Sequence, residues 1–272
     1  MIERTTWRGV NAIALAREGF RATLLPSLGG KLVSLVDEDD RELLFQREDR
    51  DYLVPEYGTA FDAWDCSGWD ECFPTIAACT IATGPWAGVP APCHGEIWCI
   101  PAAATTDDDA VVLTTRGVRF PYRFSRRVSL PGPGRLRIDY TVTNEGPFDL
   151  PYVYSAHPLF QVSDHTVVVL PDEISAVRVD NTRGGRLGGL GDTLSWPKTA
   201  LPGGGTTDLS RLVGPAQNSG DKLYTQPLQH AGWCGFVDRR RELVVGFRFD
   251  PKLLGRVGIW ENQGALLGHF NL

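Results

Sequence analysis

Two histidines of this chain stand in surroundings that suit sugar chemistry. His94 lies in the segment PCHGEIW (residues 92–98) and His157 in YSAHPLF (residues 154–160). Each has large aromatic neighbours, and each is followed by a residue that bends or restricts the backbone, Gly95 or Pro158. An imidazole gives and takes protons near neutral pH. Aromatic rings stack on the C–H faces of a sugar, whose hydroxyls need a few polar partners. The pair therefore predicts an acid–base pocket for a sugar, although a single histidine in a β-rich chain is more often structural.

Carboxylates cluster at two further places. Asp70 and Glu71 follow Trp69 in GWDECFP (residues 68–74), and Glu261 lies in GIWENQG (residues 258–264). Neighbouring side chains of a strand point to opposite faces, so at most one of Asp70 and Glu71 faces a pocket. Solvated surface charge is the alternative for both. For Glu261 the alternative is a strand end followed by a polar turn.

Other kinds of site have no signal in the sequence. The five histidines and six cysteines show neither Cys-x-x-Cys nor His-x-x-x-His spacing. No G-x-S-x-G nucleophile elbow and no GxxxxGK(S/T) phosphate loop occurs. The glycines near residue 188 follow no clear strand and open no helix, which argues against a dinucleotide fingerprint. We therefore predict no metal ion and no cofactor.

Strands are the elements that have to position these residues. Apolar and polar residues alternate over 111–115, 124–130 and 136–142, with Gly and Pro turns between them. Further strand signals cover 11–25 around a Glu18-Gly19 turn, 31–37, 167–170, 173–179, 243–249 and 257–260. No capped helical pattern alternates with them. Many short strands at close spacing predict an all-β sandwich or barrel.

The glycine-rich stretch 182–205 has two interpretations. A hinge between two domains would have this composition, and so would a long surface loop. Because the strand pattern resumes after it, we expect a surface loop within one domain.

Charge and hydropathy limit the partners. The formal net charge is −6, and the longest basic run is only Arg239-Arg240-Arg241, so a nucleic-acid partner is not expected. No segment approaches the roughly 18 to 20 apolar residues of a membrane span. The first residues lack the apolar stretch of a secretion signal. We expect a cytoplasmic protein with no membrane partner, and six reduced, buried cysteine thiols in place of disulfides.

The order of these segments resembles the aldose 1-epimerase (galactose mutarotase-like) superfamily, in its branch of uncharacterised aldose-epimerase-like proteins. HGEIW (94–98), SAHPLF (155–160), DKLY (221–224) and GIWENQG (258–264) follow one another, and PSLGGKL (26–32) fits the family's opening strands. The resemblance implies a single domain over residues 1–272, a large antiparallel β-sandwich with a sugar site on a concave sheet. It also implies an isomerase of free hexose anomers. A carboxylate takes the proton of the C1 hydroxyl while a histidine protonates the ring oxygen, and the ring opens and recloses.

The resemblance assigns roles to individual residues. His157 matches the histidine that donates the proton, and His94 matches the pocket histidine that hydrogen-bonds the sugar near its ring oxygen. Asp221 matches an aspartate that binds sugar hydroxyls. The expected partner is a small-molecule sugar, and the expected assembly is a monomer or a homodimer.

This sequence departs from the family pattern at two places. The family's pocket arginine has no clear equivalent, because the segment with Trp69, Asp70 and Glu71 takes roughly its place, and these three are expected to bind substrate. The family's catalytic glutamate lies in a last strand that follows the segment resembled by residues 260–264, whereas this sequence ends at Leu272.

Three interpretations of the missing base stay open. Glu261 substitutes for the glutamate and binds the substrate, or the chain is a truncated form, or the protein binds sugars without turning them over. A hexose 6-phosphate epimerase is a further possibility, because such an enzyme needs a cationic grip. The arginines dense enough to supply it are Arg116, Arg119, Arg123, Arg126 and Arg127. The alternative for these is an edge strand with solvated charges.

Overall fold

The structure is a computed structural model that describes residues 1–266 and 268–272. Within these residues the regular elements are strands and 3-10 turns of three residues, and the named strand pairs are antiparallel. The predicted all-β antiparallel fold is confirmed. The chain divides into two compact units, Met1–Phe160 and Gln161–Leu272. The prediction of a single domain over residues 1–272 stays a prediction.

The first unit contains two large sheets and a small ribbon. Its strands are β1 (Ile2–Trp7), β2 (Val10–Arg17), β3 (Phe20–Leu25), β4 (Lys31–Val36), β5 (Trp69–Cys72), β6 (Cys79–Thr80), β7 (Pro90–Ala91), β8 (Ala103–Thr106), β9 (Ala110–Arg116), β10 (Tyr122–Gly132), β11 (Arg135–Asn144) and β12 (Ser155–Pro158). One sheet has the order β1-β2-β3-β4-β5-β12 and the other β11-β10-β9-β8, while β6 pairs with β7. The 3-10 turns span Phe61–Ala63, Gly84–Trp86 and Ile97–Cys99.

The two large sheets of the first unit pack against each other as a β-sandwich. Along β10, every second residue from Tyr122 to Val128 is buried, which is the period of a strand with one face in a core. Ile13 and Leu15 of β2 are buried in the same way. The Arg17 side chain of β2 donates a hydrogen bond of 3.1 Å to the Leu130 carbonyl of β10. One member of the buried row on β10 is charged, and that member is Arg126.

The Arg126 guanidinium joins three parts of the first unit. One nitrogen donates to Glu71 Oε1 of β5 at 3.1 Å, and another donates to the carbonyls of Gly29 and Gly30 at 2.7 Å each. Glu71 also accepts hydrogen bonds from the hydroxyls of Tyr140 (2.9 Å) and Tyr154 (2.8 Å). Arg126 is 3% exposed and Glu71 2%. The ion pair is thus buried, with hydrogen bonds that satisfy both partners, which a buried pair requires.

Two glycines make room for this interaction. Gly29 and Gly30 have φ of +60° and +70° in the turn between β3 and β4. This left-handed conformation is costly for residues with a Cβ. A Cβ at Gly30 would overlap the Arg126 guanidinium, and one at Gly29 would overlap the Ile97 carbonyl. Both the conformation and the close approach therefore call for glycine here.

The second unit also contains two larger sheets and a ribbon. Its strands are β13 (Thr166–Val169), β14 (Ala176–Thr182), β15 (Thr193–Ser195), β16 (Lys198–Ala200), β17 (Thr206–Asp208), β18 (Ser219–Thr225), β19 (Trp233–Asp238), β20 (Leu243–Arg248), β21 (Gly258–Gln263) and β22 (Phe270–Asn271). The sheet orders are β13-β19-β20 and β15-β14-β18-β21-β22, and β16 pairs with β17. The 3-10 turns span Arg183–Gly185 and Pro215–Gln217.

The structure contains strands that the sequence does not predict, among them β1, β5, β8, β12, β18 and β19, and two segments illustrate the reason. The stretch 182–205, expected to be a loop, contains β15 and β16, each of three residues and therefore too short to show an alternation. β15 extends the edge of β14, and β16 forms a ribbon with β17. β1 was not predicted, because its middle residues are all exposed and polar. Sequence periodicity detects strands with one buried face, and these strands lack one.

The six cysteines are free thiols in this structure. Cys66, Cys72 and Cys99 are buried as expected, whereas Cys79 is exposed and Cys93 and Cys234 are half-buried. The expectation that all six thiols are buried is therefore wrong for Cys79, Cys93 and Cys234. Among the described residues, no helix is both long enough and apolar enough to cross a membrane.

The Arg126–Glu71 pair generates a stability prediction. Arg126→Met leaves the Glu71 carboxylate buried without its cation and should lower the free energy of unfolding by about 3 to 5 kcal/mol. In a Glu71→Gln background the same change should cost clearly less, because no buried charge is left behind. Urea unfolding of the four proteins measures both costs.

Arg127→Met is the matched control. Arg127 is the next residue of β10, but its side chain is exposed and pairs with Asp107 and Asp109 at the surface. Its loss should leave the free energy of unfolding close to the wild-type value. An equal cost of Arg126→Met in both backgrounds would show that the buried charge is not what Arg126 stabilises.

Candidate functional site

The structure brings His94 and His157 together in the first unit. Their ring centroids are 4.9 Å apart, and the rings stand nearly perpendicular at 82°. Phe61 stacks on His94 with a centroid distance of 4.1 Å and an angle of 13°. The same ring meets His157 edge-on at 5.4 Å and Trp98 at 5.3 Å. Both histidines and Phe61 are half-buried, so this four-ring cluster reaches the surface.

Backbone interactions fix the segment that carries His94. The His94 N–H donates to the Ile76 carbonyl at 2.7 Å, and the Glu96 N–H donates to the Phe73 carbonyl at 2.7 Å. His94 has φ of +59°, and Gly95 follows with φ of +70°. A Cβ on Gly95 would overlap the Phe73 backbone, so the segment passes the residue that follows β5 at a distance that only glycine allows.

Glu96 holds the neighbouring loops. It is fully buried and accepts a hydrogen bond of 2.6 Å from the Tyr57 hydroxyl. It also accepts the backbone N–H groups of Val118 at 3.0 Å and Arg119 at 2.9 Å. Tyr57 lies four residues before Phe61, so this carboxylate ties the loop that presents Phe61 to the segment that presents His94.

Strand pairing places His157 beside Asp70. In the antiparallel ladder of β12 and β5, His157 is directly opposite Asp70. Directly opposed residues share a face of the sheet, with Cβ atoms about 5 Å apart. Glu71 lies on the other face, where it meets Arg126. The prediction that Asp70 and Glu71 point to opposite faces is therefore confirmed.

Asp70 belongs to a buried charge cluster with Lys31 and Asp65. The Lys31 ammonium lies 2.9 Å from Asp70 Oδ2 and also contacts Asp65. Burial raises the pKa of Asp70 to about 7 against the opposing effect of Lys31. Burial alone would lower the pKa of Lys31, but the charges of Asp70 and Asp65 raise it. The cluster thus keeps Lys31 charged and places a carboxyl that titrates near neutrality opposite His157.

Trp69, Asp70 and Glu71 were predicted to bind substrate, and the structure buries all three. Burial raises the pKa of Glu71 even with Arg126 beside it. Its oxygens accept from Arg126, Tyr140 and Tyr154, so Glu71 serves the interior of the sandwich in this structure. Direct contact of these residues with a substrate stays a prediction.

Asp221 lies in the second unit with two polar partners. Its Oδ1 accepts from the Thr182 hydroxyl at 2.6 Å, and its Oδ2 pairs with the Arg186 guanidinium. The carboxylate is 1% exposed. Asp221 is directly opposite Glu261 in the ladder of β18 and β21, so the two carboxyl groups share a face of their sheet.

Glu261 is a buried carboxyl group that forms no ion pair within the described residues. It is 2% exposed, and its Oε2 accepts a long hydrogen bond of 3.4 Å from Gln263. Burial raises the pKa of Glu261 to about 8, and the charge of Asp221 adds to the shift. Glu261 is therefore a strand residue of β21 that holds a proton at neutral pH. Its role toward a sugar stays a prediction.

The arginines considered as a phosphate grip have protein partners. Arg126 pairs with Glu71, and Arg127 with Asp107 and Asp109. Arg116 and Arg123 both lie near Glu145. The Arg119 side chain donates to the Pro90 carbonyl at 3.0 Å. Four of these five arginines thus pair with carboxylates of the first unit, and the fifth, Arg119, is hydrogen-bonded to a backbone carbonyl.

Sequence reasoning missed several residues that shape the cluster. Phe61 and Asp65 lie far from both histidines in sequence, and Lys31 (in PSLGGKL) and Cys93 (in PCHGEIW) lie in segments that do not indicate their contacts. Phe61 in particular lies in a short 3-10 turn within a long irregular segment. The one available signal was the concentration of aromatic residues between 52 and 64.

Comparison with known proteins reveals likeness at the level of structure. No protein-family model matches the chain, and no curated protein does. A galactose mutarotase-like protein from Clostridium acetobutylicum is similar, with a TM-score of 0.60 and 13% identity over 97% of this chain and 85% of that one. The protein HI1317 is similar with a TM-score of 0.52 and 12% identity over 91% of this chain and 76% of that one.

A third likeness is to part of a larger protein. A TPR-domain containing protein from Parabacteroides distasonis has a TM-score of 0.56 and 17% identity. The match covers 84% of this chain and 34% of that one, so this chain spans about a third of its length. At such identities these likenesses show the fold alone, which is the galactose mutarotase-like β-sandwich fold.

The buried Glu261 generates a prediction for stability against pH. Its pKa in the folded protein, about 8, lies above its ordinary value of 4.5. The stabilisation from this proton is fully present below pH 4.5 and is lost as the pH rises through about 8. We expect the free energy of unfolding to fall across this window, by an amount on the order of a few kcal/mol. Glu261→Gln, which stays neutral, should remove that part of the slope.

Unfolding by urea at a series of pH values measures the effect. Asp70, with its raised pKa, adds to the slope in the same direction, so the difference between wild type and variant is the relevant quantity. Glu242→Gln, a change of an exposed glutamate, is the control and should leave the slope as in wild type. If Glu261→Gln and Glu242→Gln give equal slopes, Glu261 is ionised in the folded protein.

Proposed function

We propose that this chain binds a free sugar at His94 and His157 and interconverts its anomers, as an isomerase of the aldose 1-epimerase type. The observation that carries the proposal is the pair of imidazole rings 4.9 Å apart within a partly exposed aromatic cluster. Two imidazole rings, a group that as a side-chain type exchanges protons near neutral pH, thereby stand side by side. The galactose mutarotase-like fold of the chain supports the same class of ligand.

The chemistry of the proposed reaction needs a proton at one oxygen and its removal from another. His157 donates a proton to the ring oxygen while a water molecule at the partly exposed cluster accepts the proton of the C1 hydroxyl, so the bond between C1 and the ring oxygen breaks and an open-chain aldehyde forms. Rotation about the C1–C2 bond and the reverse steps give the other anomer. His94 holds the ring oxygen by a hydrogen bond. An imidazole suits the donation to the ring oxygen and its reversal, because imidazole as a side-chain type exchanges protons near neutral pH.

The aromatic side chains supply the apolar part of the site. Phe61 lies against both imidazole rings, and Trp98 closes one side of the cluster. Ring faces of this kind stack on sugar C–H groups, whereas hydroxyls require the polar groups around them. The proposed partner is therefore a small neutral sugar, and the matched charges of Arg116 to Arg127 give no support for a phosphorylated one.

A second candidate is a carbohydrate-binding protein without turnover. The reaction needs a group that accepts the C1 hydroxyl proton, and the two acidic residues of β5 are both occupied. Asp70 pairs with Lys31, and Glu71 pairs with Arg126. These ion pairs reduce the supply of a carboxylate base in the first unit, and they favour binding over catalysis.

Polarimetry tests the proposed reaction. We expect the chain to speed the optical-rotation change of freshly dissolved α-glucose or α-galactose above the spontaneous rate. His157→Ala should reduce the catalysed rate by about 100-fold or more, because it removes the general acid. His165→Ala is the control, since His165 is exposed and lies in the second unit, and it should retain the wild-type rate.

Calorimetric titration with the same sugars separates the two candidates. Saturable binding without any rate enhancement supports the binding protein and rules out the isomerase. Absence of both binding and rate enhancement with these and other free hexoses and pentoses rules out both. A rate that His157→Ala leaves at the wild-type level would remove His157 from the mechanism.

A further inference from the structure

A cysteine thiol contacts the imidazole of the predicted pocket histidine. The Sγ of Cys93 lies 3.1 Å from Nδ1 of His94, within hydrogen-bonding distance for sulfur. Cys93 is half-buried, and the residue is one of three cysteines that the buried-filler interpretation described wrongly. The contact joins neighbours in sequence, so its geometry depends on how the backbone turns between them.

The surrounding structure holds that turn in place. The Trp98 indole N–H donates to the Cys93 carbonyl at 3.3 Å, and the Thr75 hydroxyl donates to the Pro92 carbonyl at 2.7 Å. The left-handed φ of His94 and its hydrogen bond to Ile76 fix the next peptide. Phe61 stacks on the His94 ring and limits its rotation. The thiol and Nδ1 are therefore held against each other from both sides.

A neutral imidazole has one nitrogen that donates and one that accepts, and the bond made by one decides the state of the other. The contact has two possible directions, and with the thiol as donor its hydrogen meets Nδ1, which is a good acceptor. The reverse arrangement would set an imidazole N–H against sulfur, which accepts hydrogen bonds weakly. The thiol as donor leaves Nδ1 without a hydrogen and places the hydrogen on Nε2.

We propose that Cys93 is a positioning residue that selects the tautomer of His94 with hydrogen on Nε2. Its catalytic consequence rests on the proposed function, because only an Nε2–H group can donate a hydrogen bond to the ring oxygen of a sugar. In the other tautomer Nε2 presents a lone pair, which repels the lone pairs of that oxygen. Cys93 thus acts through His94 and does not itself touch the sugar.

Nitrogen-15 NMR of the whole chain tests the tautomer without any substrate. In wild type the His94 ring should show the pattern of an unprotonated Nδ1 and a protonated Nε2. Cys93→Ala should shift both nitrogens toward the average of two exchanging tautomers, whereas Cys93→Ser keeps a hydroxyl donor and should restore the wild-type pattern. Cys79→Ala, which removes an exposed thiol of the same unit, is the control and should change neither signal.

Kinetics then test the consequence. Cys93→Ala should lower kcat of mutarotation about fivefold to tenfold, the worth of one hydrogen bond, with a smaller change in KM. Cys93→Ser should recover most of the loss, and Cys79→Ala should match wild type. A plain packing role for Cys93 predicts the opposite for serine, which packs no better than alanine at a half-buried apolar position.

The outcomes distinguish the role of Cys93 in setting the His94 tautomer from the proposed function of the chain. A protonated Nδ1 in wild type, or nitrogen signals that Cys93→Ala leaves unchanged, overturns the assignment to Cys93. The expected tautomer in a chain with neither mutarotation nor sugar binding confirms the role of Cys93 in setting His94 and rejects the proposed function. A lowered kcat that Cys93→Ser fails to recover overturns the hydrogen-bond explanation.

Discussion

The buried ion pair between Arg126 and Glu71 is the constraint on which the first unit depends. An unpaired charge in a protein interior costs several kcal/mol, so each partner fixes the position of the other. The remaining hydrogens of Arg126 go to the Gly29 and Gly30 carbonyls, and the remaining lone pairs of Glu71 go to Tyr140 and Tyr154. Five separate segments are thereby held to one point, namely those that carry Arg126, Glu71, the Gly29-Gly30 turn, Tyr140 and Tyr154. The interaction is specific in a way that apolar contacts are not, because a shift of any one strand would leave a buried polar group unsatisfied.

Strand β5, which carries Glu71, also helps to position the histidine cluster. β5 turns Glu71 toward the sandwich interior and Asp70 toward the opposite face, where it pairs with Lys31 and lies across the ladder from His157. A strand anchored on both faces has no freedom to slide, and β12 takes its register from it. His157 is therefore placed by the strand ladder, whereas His94 is placed by a tight segment that passes close to Phe73.

The sequence predicts those parts of the fold that have one buried face. Alternation located β2, β3, β9, β10 and β11 within one to three residues, because their inner residues meet a core. It also showed that Asp70 and Glu71 must diverge. It did not show that Glu71 would meet Arg126, which is distant in sequence and was interpreted as part of a cationic surface. Nor did it indicate Phe61, which lies in an irregular segment, or the contact of Cys93 with the His94 ring, which depends on how the backbone turns between the two. Sequence motifs indicate the chemistry of neighbouring residues, whereas contacts across a sheet depend on strand register, which the motifs do not show.

The backbone conformation at His94 connects the fold to the proposed function. A non-glycine residue with left-handed φ costs on the order of 1 to 3 kcal/mol, and such residues persist where the surroundings determine them. Glycine at position 94 would avoid the cost, and the next residue is already glycine. What a histidine gains there is its ring, held between Phe61 and Cys93 and facing His157 at 4.9 Å. These contacts do not close a core, because His94, His157 and Phe61 are each only half-buried. In the proposed function this conformation presents the His94 ring to the bound sugar.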